Sequence, residues 1–257
     1  MGRGARSLIS TQYARNGPLL EESQQFTRLV SAGVARDARR EVLLVENALG
    51  RPTHKTRRSI FEALEQRFAD ERRARHLGIL STVPGQARNF GMGVLLEIAR
   101  HDELVGEFLA FIGARVGQPW SLIDAQRFLE ELDGRDAAVR SWAPSIQKRA
   151  VSSLNSISSH FQLWRSRVGA RVAPIELPNE LVAIIAFERL LDGEPVIYAP
   201  EFAMLGVRRE AIVEALWSCA RRGWYAVDTI GDVVHVEPKV DSIRAMFDPS
   251  VFAGVLS

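Results

Sequence analysis

Cysteine is nearly absent from the chain, and a long hydrophobic run without charges is absent altogether. A single cysteine in 257 residues excludes an intramolecular disulfide and a cysteine-based zinc site, and it fits a reducing compartment. The most apolar stretch, 103–117, is interrupted by Glu103, Glu107 and Arg115, so it predicts a buried helix and not a membrane span. The first ten residues lack the apolar core of a signal peptide. We therefore expect a cytoplasmic protein with no membrane partner.

Signatures of catalysis are lacking as well. The five histidines are scattered without the paired spacing of a zinc motif, and no phosphate-binding or dinucleotide-binding glycine motif follows a predicted strand. Cys219 lies between apolar neighbours in a predicted helix, which favours a buried structural thiol over a nucleophile. We expect no catalytic residues, no metal and no cofactor, and hence a non-enzymatic protein.

Charge is unevenly placed along the chain, although the net charge is only +2. Residues 1–75 carry a net charge of +6 and residues 137–175 also carry +6, the latter without a single acid. Between and after these blocks, residues 76–136 carry −4 and residues 176–257 carry −6. Two basic blocks on one face would attract a polyanion, whereas pairing with the acidic blocks would neutralise them internally. Charge alone leaves both interpretations open.

Helical periodicity dominates the first two thirds of the chain. After an arm at 1–16, the pattern predicts only helices over 17–170. These include one continuous helix from Thr53 to Gly78 and another from Ser145 to Arg167. The fold class predicted for this part is an all-helical bundle.

The pattern changes after a junction at 169–178 that contains proline and glycine, which we predict to be a domain boundary. The order beyond it is that of a winged helix-turn-helix: helix, short helix, helix and β-hairpin. These elements are predicted at 179–193, 199–207, 208–224 and 225–238. The whole chain is thus predicted to be mainly α, with a helical bundle over 17–170 followed by a small winged-helix-like α+β domain over 178–257.

The start of the predicted helix at 53 is the first candidate site. The unpaired amide groups of a helix N-terminus can hold a phosphate, and hydroxyl and cationic side chains can add to that binding. Cations at this end work against the helix dipole, which favours a use for them. The competing interpretation is a solvated helix end. The candidate residues are Thr53, Lys55, Thr56, Arg57 and Arg58.

The acid-free block at 137–175 is the second candidate site. Lys148 and Arg149 lie near the start of a predicted helix, close to Ser145, Ser152 and Ser153, whose hydroxyls are suited to phosphate oxygens. The alternative is a polar helix face packed against the acidic end of the chain. The candidate residues that we carry forward from this block are Lys148, Arg149, Arg165 and Arg167.

The predicted winged helix is acidic overall, which argues against its use as a DNA reader. Arg208 and Arg209 open its second long helix, but Glu210 and Glu214 lie on the same helix. A DNA-reading module usually carries a basic footprint. We expect this region to contact protein.

Four stretches resemble the BrxA family of BREX bacteriophage-defence systems. They are "GPLLEESQQFTRLV", "VENALGRPTHKTRRSIFEALEQRF", "LVGEFLAFI" and "SWAPSIQKRAVSSL", and the likeness covers about residues 15–165. The resemblance implies an all-helical, non-enzymatic protein with similarity to the NusB RNA-binding fold. It also implies that this protein binds nucleic acid, especially double-stranded DNA, within a multi-protein defence system. It defines no site residues, and it stops before the winged-helix-like extension.

The leading hypothesis is a non-enzymatic DNA-binding subunit of such a system, which contacts duplex phosphates largely without reading sequence. A protein-docking scaffold acting through the acidic winged helix is one alternative. A NusB-like RNA-binding protein is another. The expected partners are double-stranded DNA, or RNA under the last alternative, and other subunits of the defence complex.

Overall fold

The computed structural model describes residues 17–165 and 170–248, and most of these residues are helical. The longer helices are α1 (Leu20–Ser31), α3 (His54–Arg67), α4 (Glu71–Leu80), α5 (Ala87–His101), α6 (Glu103–Gly113), α7 (Ile123–Arg135), α9 (Pro144–His160), α10 (Asn179–Leu191) and α12 (Arg209–Arg221). The short ones are α2 (Arg36–Arg40), which continues as a π-helical turn over Glu41–Val45, α8 (Ala137–Arg140), a 3₁₀ turn (Val196–Tyr198), α11 (Pro200–Met204) and α13 (Ile243–Phe247). The strands are β1 (Trp164–Arg165), β2 (Arg171–Val172), β3 (Tyr225–Ile230) and β4 (Val233–Pro238). The mainly helical fold class is confirmed.

Helix α1 illustrates how the sequence builds a buried face. Glu21 and Glu22 occupy its first turn, where their negative charge interacts favourably with the positive end of the helix dipole. Phe26 and Val30 recur at a spacing of four and are both 2% exposed. The Phe26 ring stacks on Phe68 at 5.7 Å between centroids, and its edge contacts Phe61 at 6.3 Å. This aromatic cluster joins α1 to α3.

The predicted continuous helix from 53 to 78 is wrong, because the chain breaks between α3 and α4. Phe68 ends α3 with its backbone outside the helical region, and Asp70 starts α4. The Asp70 carboxylate accepts hydrogen bonds from the amides of Arg72 (3.0 Å) and Arg73 (3.2 Å). A capping carboxylate with this geometry favours a new helix start over a continuous helix.

The predicted helix from 145 to 167 is also too long. Helix α9 ends at His160, and Gln162 adopts a positive φ of 53°, which terminates the helix. Trp164–Arg165 then pairs antiparallel with Arg171–Val172. The expectation of only helices over 17–170 is therefore wrong at this point, because a two-residue strand leaves no alternating pattern to detect.

The C-terminal order of elements agrees with the prediction. Helix α10, the short helix α11 and helix α12 are followed by the antiparallel hairpin of β3 and β4, with Ile230 paired to Val233 across the turn. Gly231 in that turn has a φ of 59°, which a residue with a side chain rarely adopts. Helix α13 was not predicted.

The chain divides into two compact units that do not follow the order of the sequence. The described residues of one unit are 17–19, 95–165, 170–175 and 204–206, and those of the other are 20–94, 176–203 and 207–248. The second unit thus draws on both sides of the boundary predicted at 169–178. The domain division at that boundary stays a prediction, and its arm at 1–16 lies outside the described residues.

Within the second unit, the C-terminal helices contact the early helix α4. Arg72 forms a bidentate ion pair with Asp192 at 2.8 Å for both contacts, and the His76 ring lies 3.0 Å from the buried carboxylate of Glu188. Gly93 in α5 lies close to Leu77 and Leu181. These contacts join parts of the unit that lie far apart in sequence.

Across the described residues, 17–165 and 170–248, no helix is both long and apolar enough to cross a membrane. The apolar helix predicted at 103–117 is α6, which ends at Gly113 and buries Leu104, Phe108 and Ile112.

Candidate nucleic-acid interface

The first candidate site lies at the start of helix α3, in the second unit. Thr53 precedes the helix in an extended conformation, and its Oγ1 accepts a hydrogen bond from the Thr56 amide at 3.1 Å. The two threonine hydroxyls lie 2.9 Å apart. The hydroxyl of Thr53 therefore already caps one of the amides that a phosphate would use.

Its cations differ in whether the chain already pairs them. Arg58 donates to Glu62, one turn further along the helix, at 2.8 Å, and Arg51 pairs with the buried carboxylate of Glu22. Lys55 is exposed and has no ion pair among the described residues. Arg57 is half-buried, and its Nε has no hydrogen-bond partner in the described part of the chain. Lys55 and Arg57 are thus the cations of this site that no described carboxylate pairs.

Internal ion pairs account for further arginines of the first basic block. The Arg36 guanidinium donates two hydrogen bonds, of 2.6 and 2.7 Å, to the Glu65 carboxylate and thereby lowers the pKa of that carboxyl. Arg72 likewise lowers the pKa of Asp192 through its hydrogen bonds. For these residues, internal neutralisation is the better interpretation.

The second candidate site is helix α9 in the first unit, and its 17 residues contain no acid. Pro144 sets the first turn, and the buried face consists of Ala150, Leu154 and Ile157. The opposite side is exposed and carries only hydroxyl and cationic groups along its central line. That line consists of Ser145, Arg149, Ser152 and Ser156, with Lys148 and Ser159 beside it.

Lys148 and Arg149 are both exposed, and neither forms an ion pair within the described residues. Ser145 and Ser152 are exposed, whereas Ser153 is half-buried. Ser156 was missed, although its spacing of four residues from Ser152 places it on the same face of a helix.

A groove of about 350 Å³ borders this surface between α7 and α9. Glu130 and Asp133 line its α7 side, and Gln147 and Lys148 line its α9 side. The buried Oδ1 of Asp133 has no hydrogen-bond partner among the described residues. Because the carboxylates would repel a phosphate, the favourable approach lies over Arg149 and Ser152, away from this groove.

The remaining predicted cations of this block are Arg165 and Arg167. Arg165 lies in β1, opposite Arg171, while Arg167 lies outside the described residues. The Arg171 guanidinium donates to the Gly117 carbonyl at 2.6 Å, and that of Arg140 donates to the carbonyls of Asp133 and Gly134. The two candidate sites belong to different compact units.

The isolated thiol fits the structural role expected for it. Cys219 is buried in α12, and its Sγ donates to the Asn179 carbonyl at 3.3 Å. Burial raises its pKa to about 12, so the thiolate is not populated at neutral pH. No group of three or more potential metal ligands occurs within residues 17–165 and 170–248.

Comparison with known proteins gives one family and one similar structure. A search of curated proteins returned no match. An uncharacterized protein from Magnetospirillum magneticum has a similar crystal structure, with a TM-score of 0.58 and 16% sequence identity over 78% of this chain and 98% of that one. This likeness concerns the fold.

The model of the BrxA family matches residues 10–189. This region includes both candidate sites and ends within helix α10, before α12 and the β3–β4 hairpin. The chain therefore belongs to the BrxA family, and this membership implies a component of a BREX defence system.

Proposed function

We propose that this protein is a non-enzymatic, duplex-DNA-binding subunit of a BREX defence system. It contacts phosphates through the outer face of helix α9 and reads little or no base sequence. Other subunits of the defence complex are its protein partners.

The observation that carries the proposal is the composition of that face. Lys148 and Arg149 are exposed cations that form no ion pair within the described residues, and Ser145, Ser152 and Ser156 repeat beside them along the helix. Hydroxyl and cationic groups are the usual donors to phosphate oxygens, and they carry no sequence information by themselves. A rigid helix presents them at a fixed spacing.

The start of helix α3 contributes less in this proposal. Its cap hydroxyl and Arg58 are already engaged by Thr56 and Glu62. Lys55 and Arg57 remain as secondary phosphate contacts.

Salt-dependent binding tests the proposal directly. The purified chain is titrated by fluorescence anisotropy into a labelled duplex of random sequence at several salt concentrations. Each phosphate contact steepens the slope of log K against log salt by about 0.9. The double variant Lys148→Ala/Arg149→Ala should weaken binding equally on unrelated sequences and flatten the slope by about 1 to 2.

A control of equal charge separates contact from net charge. Arg75 and Arg88 are exposed cations on other helices, without ion pairs in the described chain. Arg75→Ala/Arg88→Ala should leave the slope close to that of the unaltered protein. Equal slopes for both double variants would contradict a contact role for α9.

Competition separates the remaining candidates. A structured or single-stranded RNA that displaces the duplex at lower concentration than DNA would favour the RNA-binding alternative. Absence of nucleic-acid binding at low salt would favour the scaffold alternative, which the extensive internal pairing of the first basic block supports.

A further inference from the structure

The outer face of helix α12 is left largely uncovered by the described residues, and it lies outside the region matched by the family. Ile212, Leu216 and Cys219 form its buried face. On the outer side, Trp217 remains 39% exposed, a large fraction for an aromatic side chain on a helix. A shallow depression of about 490 Å³ runs along that side and is lined by Arg209, Glu210, Val213, Glu214, Trp217 and Arg221. We call this surface the α12 face.

The charges of the α12 face are left without opposite charges by the described chain. Glu210 and Glu214 are exposed and form no ion pair within the described residues. Arg221 donates a hydrogen bond to the Ser218 hydroxyl at 2.7 Å, and in the described part of the chain it contacts no carboxylate. Both signs are thus available to a partner.

Their spacing along the helix is self-complementary. In a two-fold symmetric antiparallel pair of identical helices, a residue on one helix lies opposite a residue of the other helix that is equally far from the symmetry axis in the opposite direction along the sequence. A centre midway between Glu214 and Trp217 places Glu210 opposite Arg221 of the second helix, and the reverse contact follows by symmetry. Two ion pairs then form about 16 Å apart, given a rise of about 1.5 Å per residue.

The same register places Trp217 of each helix opposite Glu214 of the other, on either side of the centre, so aromatic side chains and carboxylates share the middle of the interface. Trp217 of one helix lies within one turn of Trp217 of the other, and Val213 packs beside them. Buried tryptophan with a rim of arginine is a frequent composition of binding hot spots. The charged ends would fix the register, and the aromatic centre would supply the apolar contact.

We propose that the α12 face binds a second copy of this chain, forming a two-fold symmetric dimer through antiparallel α12 helices. This is independent of the DNA-binding proposal, which concerns helix α9. The unpaired carboxylates also make the α12 face a poor surface for a phosphate backbone, because Glu210 and Glu214 would repel it.

The tip of the β3–β4 hairpin extends the α12 face at one end. The Arg209 guanidinium donates to the Asp232 carbonyl, which holds the tip beside the first turn of α12. Ile230 and Val233 at this tip are 74% and 68% exposed. In the antiparallel register they lie next to the last turn of the partner's α12, where they would add apolar contact. One helix and a hairpin tip form a small interface, so the dimer is expected to be weak.

Charge exchange provides a specific test by sedimentation velocity over a series of protein concentrations, with nucleic acid removed. The unaltered chain should shift from monomer to dimer as concentration rises. Glu210→Arg alone sets two arginines against each other, and Arg221→Glu alone sets two glutamates against each other. Each variant should weaken dimerisation at least about tenfold. Their equimolar mixture should restore the dimer, because each ion pair is then re-formed across the two chains.

Matched controls keep the result interpretable. Glu131→Arg and Arg88→Glu make the same changes at exposed helical positions away from the α12 face and should leave the dimer unchanged. Trp217→Ala should abolish dimerisation but keep a cooperative unfolding transition by circular dichroism, because the side chain is partly exposed and its removal should not unfold the protein. A chain that stays monomeric at every concentration, a dimer insensitive to both charge reversals, or a mixture no better than its components would each overturn the proposal.

Discussion

At the scale of single residues, capping and ion pairing determine which polar groups the fold uses for itself. The hydroxyl of Thr53 is the clearest case, because it accepts the Thr56 amide at the start of α3. Thr53→Ala should lower the free energy of unfolding by about 1 kcal/mol, whereas Thr53→Ser, which keeps a capping hydroxyl, should lower it much less. Urea denaturation of the three proteins measures both values. Equal loss in the two variants would show that the hydroxyl does not act as the cap.

The arginine–carboxylate pairs predict a loss of stability in acid. The pKa values of Glu65 and Asp192 are lowered from 4.5 and 3.8 by Arg36 and Arg72. A lowered folded-state pKa contributes stability above the unfolded value, and this contribution disappears as the pH falls through the folded value. As the pH falls below about 4.5, the melting temperature of Arg36→Ala should therefore decrease less than that of the unaltered chain. Thermal melts between pH 7 and 3 test this, with Arg88→Ala as the control.

At the scale of elements, the close approach of α1 and α4 depends on one glycine. A Cβ at Gly78 would lie 2.1 Å from the Thr27 carbonyl oxygen, a backbone atom that cannot move aside alone. Gly78→Ala should therefore destabilise the protein by more than about 1 kcal/mol. Gly134 lies in α7 with open space around it, so Gly134→Ala should be neutral or stabilising, up to about 1 kcal/mol. Denaturant unfolding of the two variants compares them, and similar effects would contradict the packing explanation.

The elements also show what the sequence can and cannot predict. Local sequence patterns correctly predicted helices α1, α10 and α12 and the β3–β4 hairpin, because helix periodicity and a turn glycine depend only on nearby residues. The break at Asp70 was missed because the predicted helix was continued beyond Phe68 through a basic stretch, although Asp70 followed by Glu71 is a recognisable helix start. The pairing of Arg72 with Asp192 joins positions 120 residues apart, and no local pattern predicts such a contact. The charges of α9 could be found from the sequence, but the absence of ion pairs to them among the described residues could not.

At the scale of the whole molecule, the second compact unit makes the predicted boundary at 169–178 testable. Residues 20–94 share that unit with residues from 176 onwards, through Arg72 with Asp192 and His76 with Glu188. A chain that ends at residue 175 would expose the surface of α4 that these contacts cover. It should melt at a lower temperature than the full chain and expose apolar surface to a dye. An unchanged melting transition would instead support a domain border at 169–178. Because truncation is expected to damage the early helices, partner binding by the C-terminal region is better tested with the point variants of the α12 face than with a deletion.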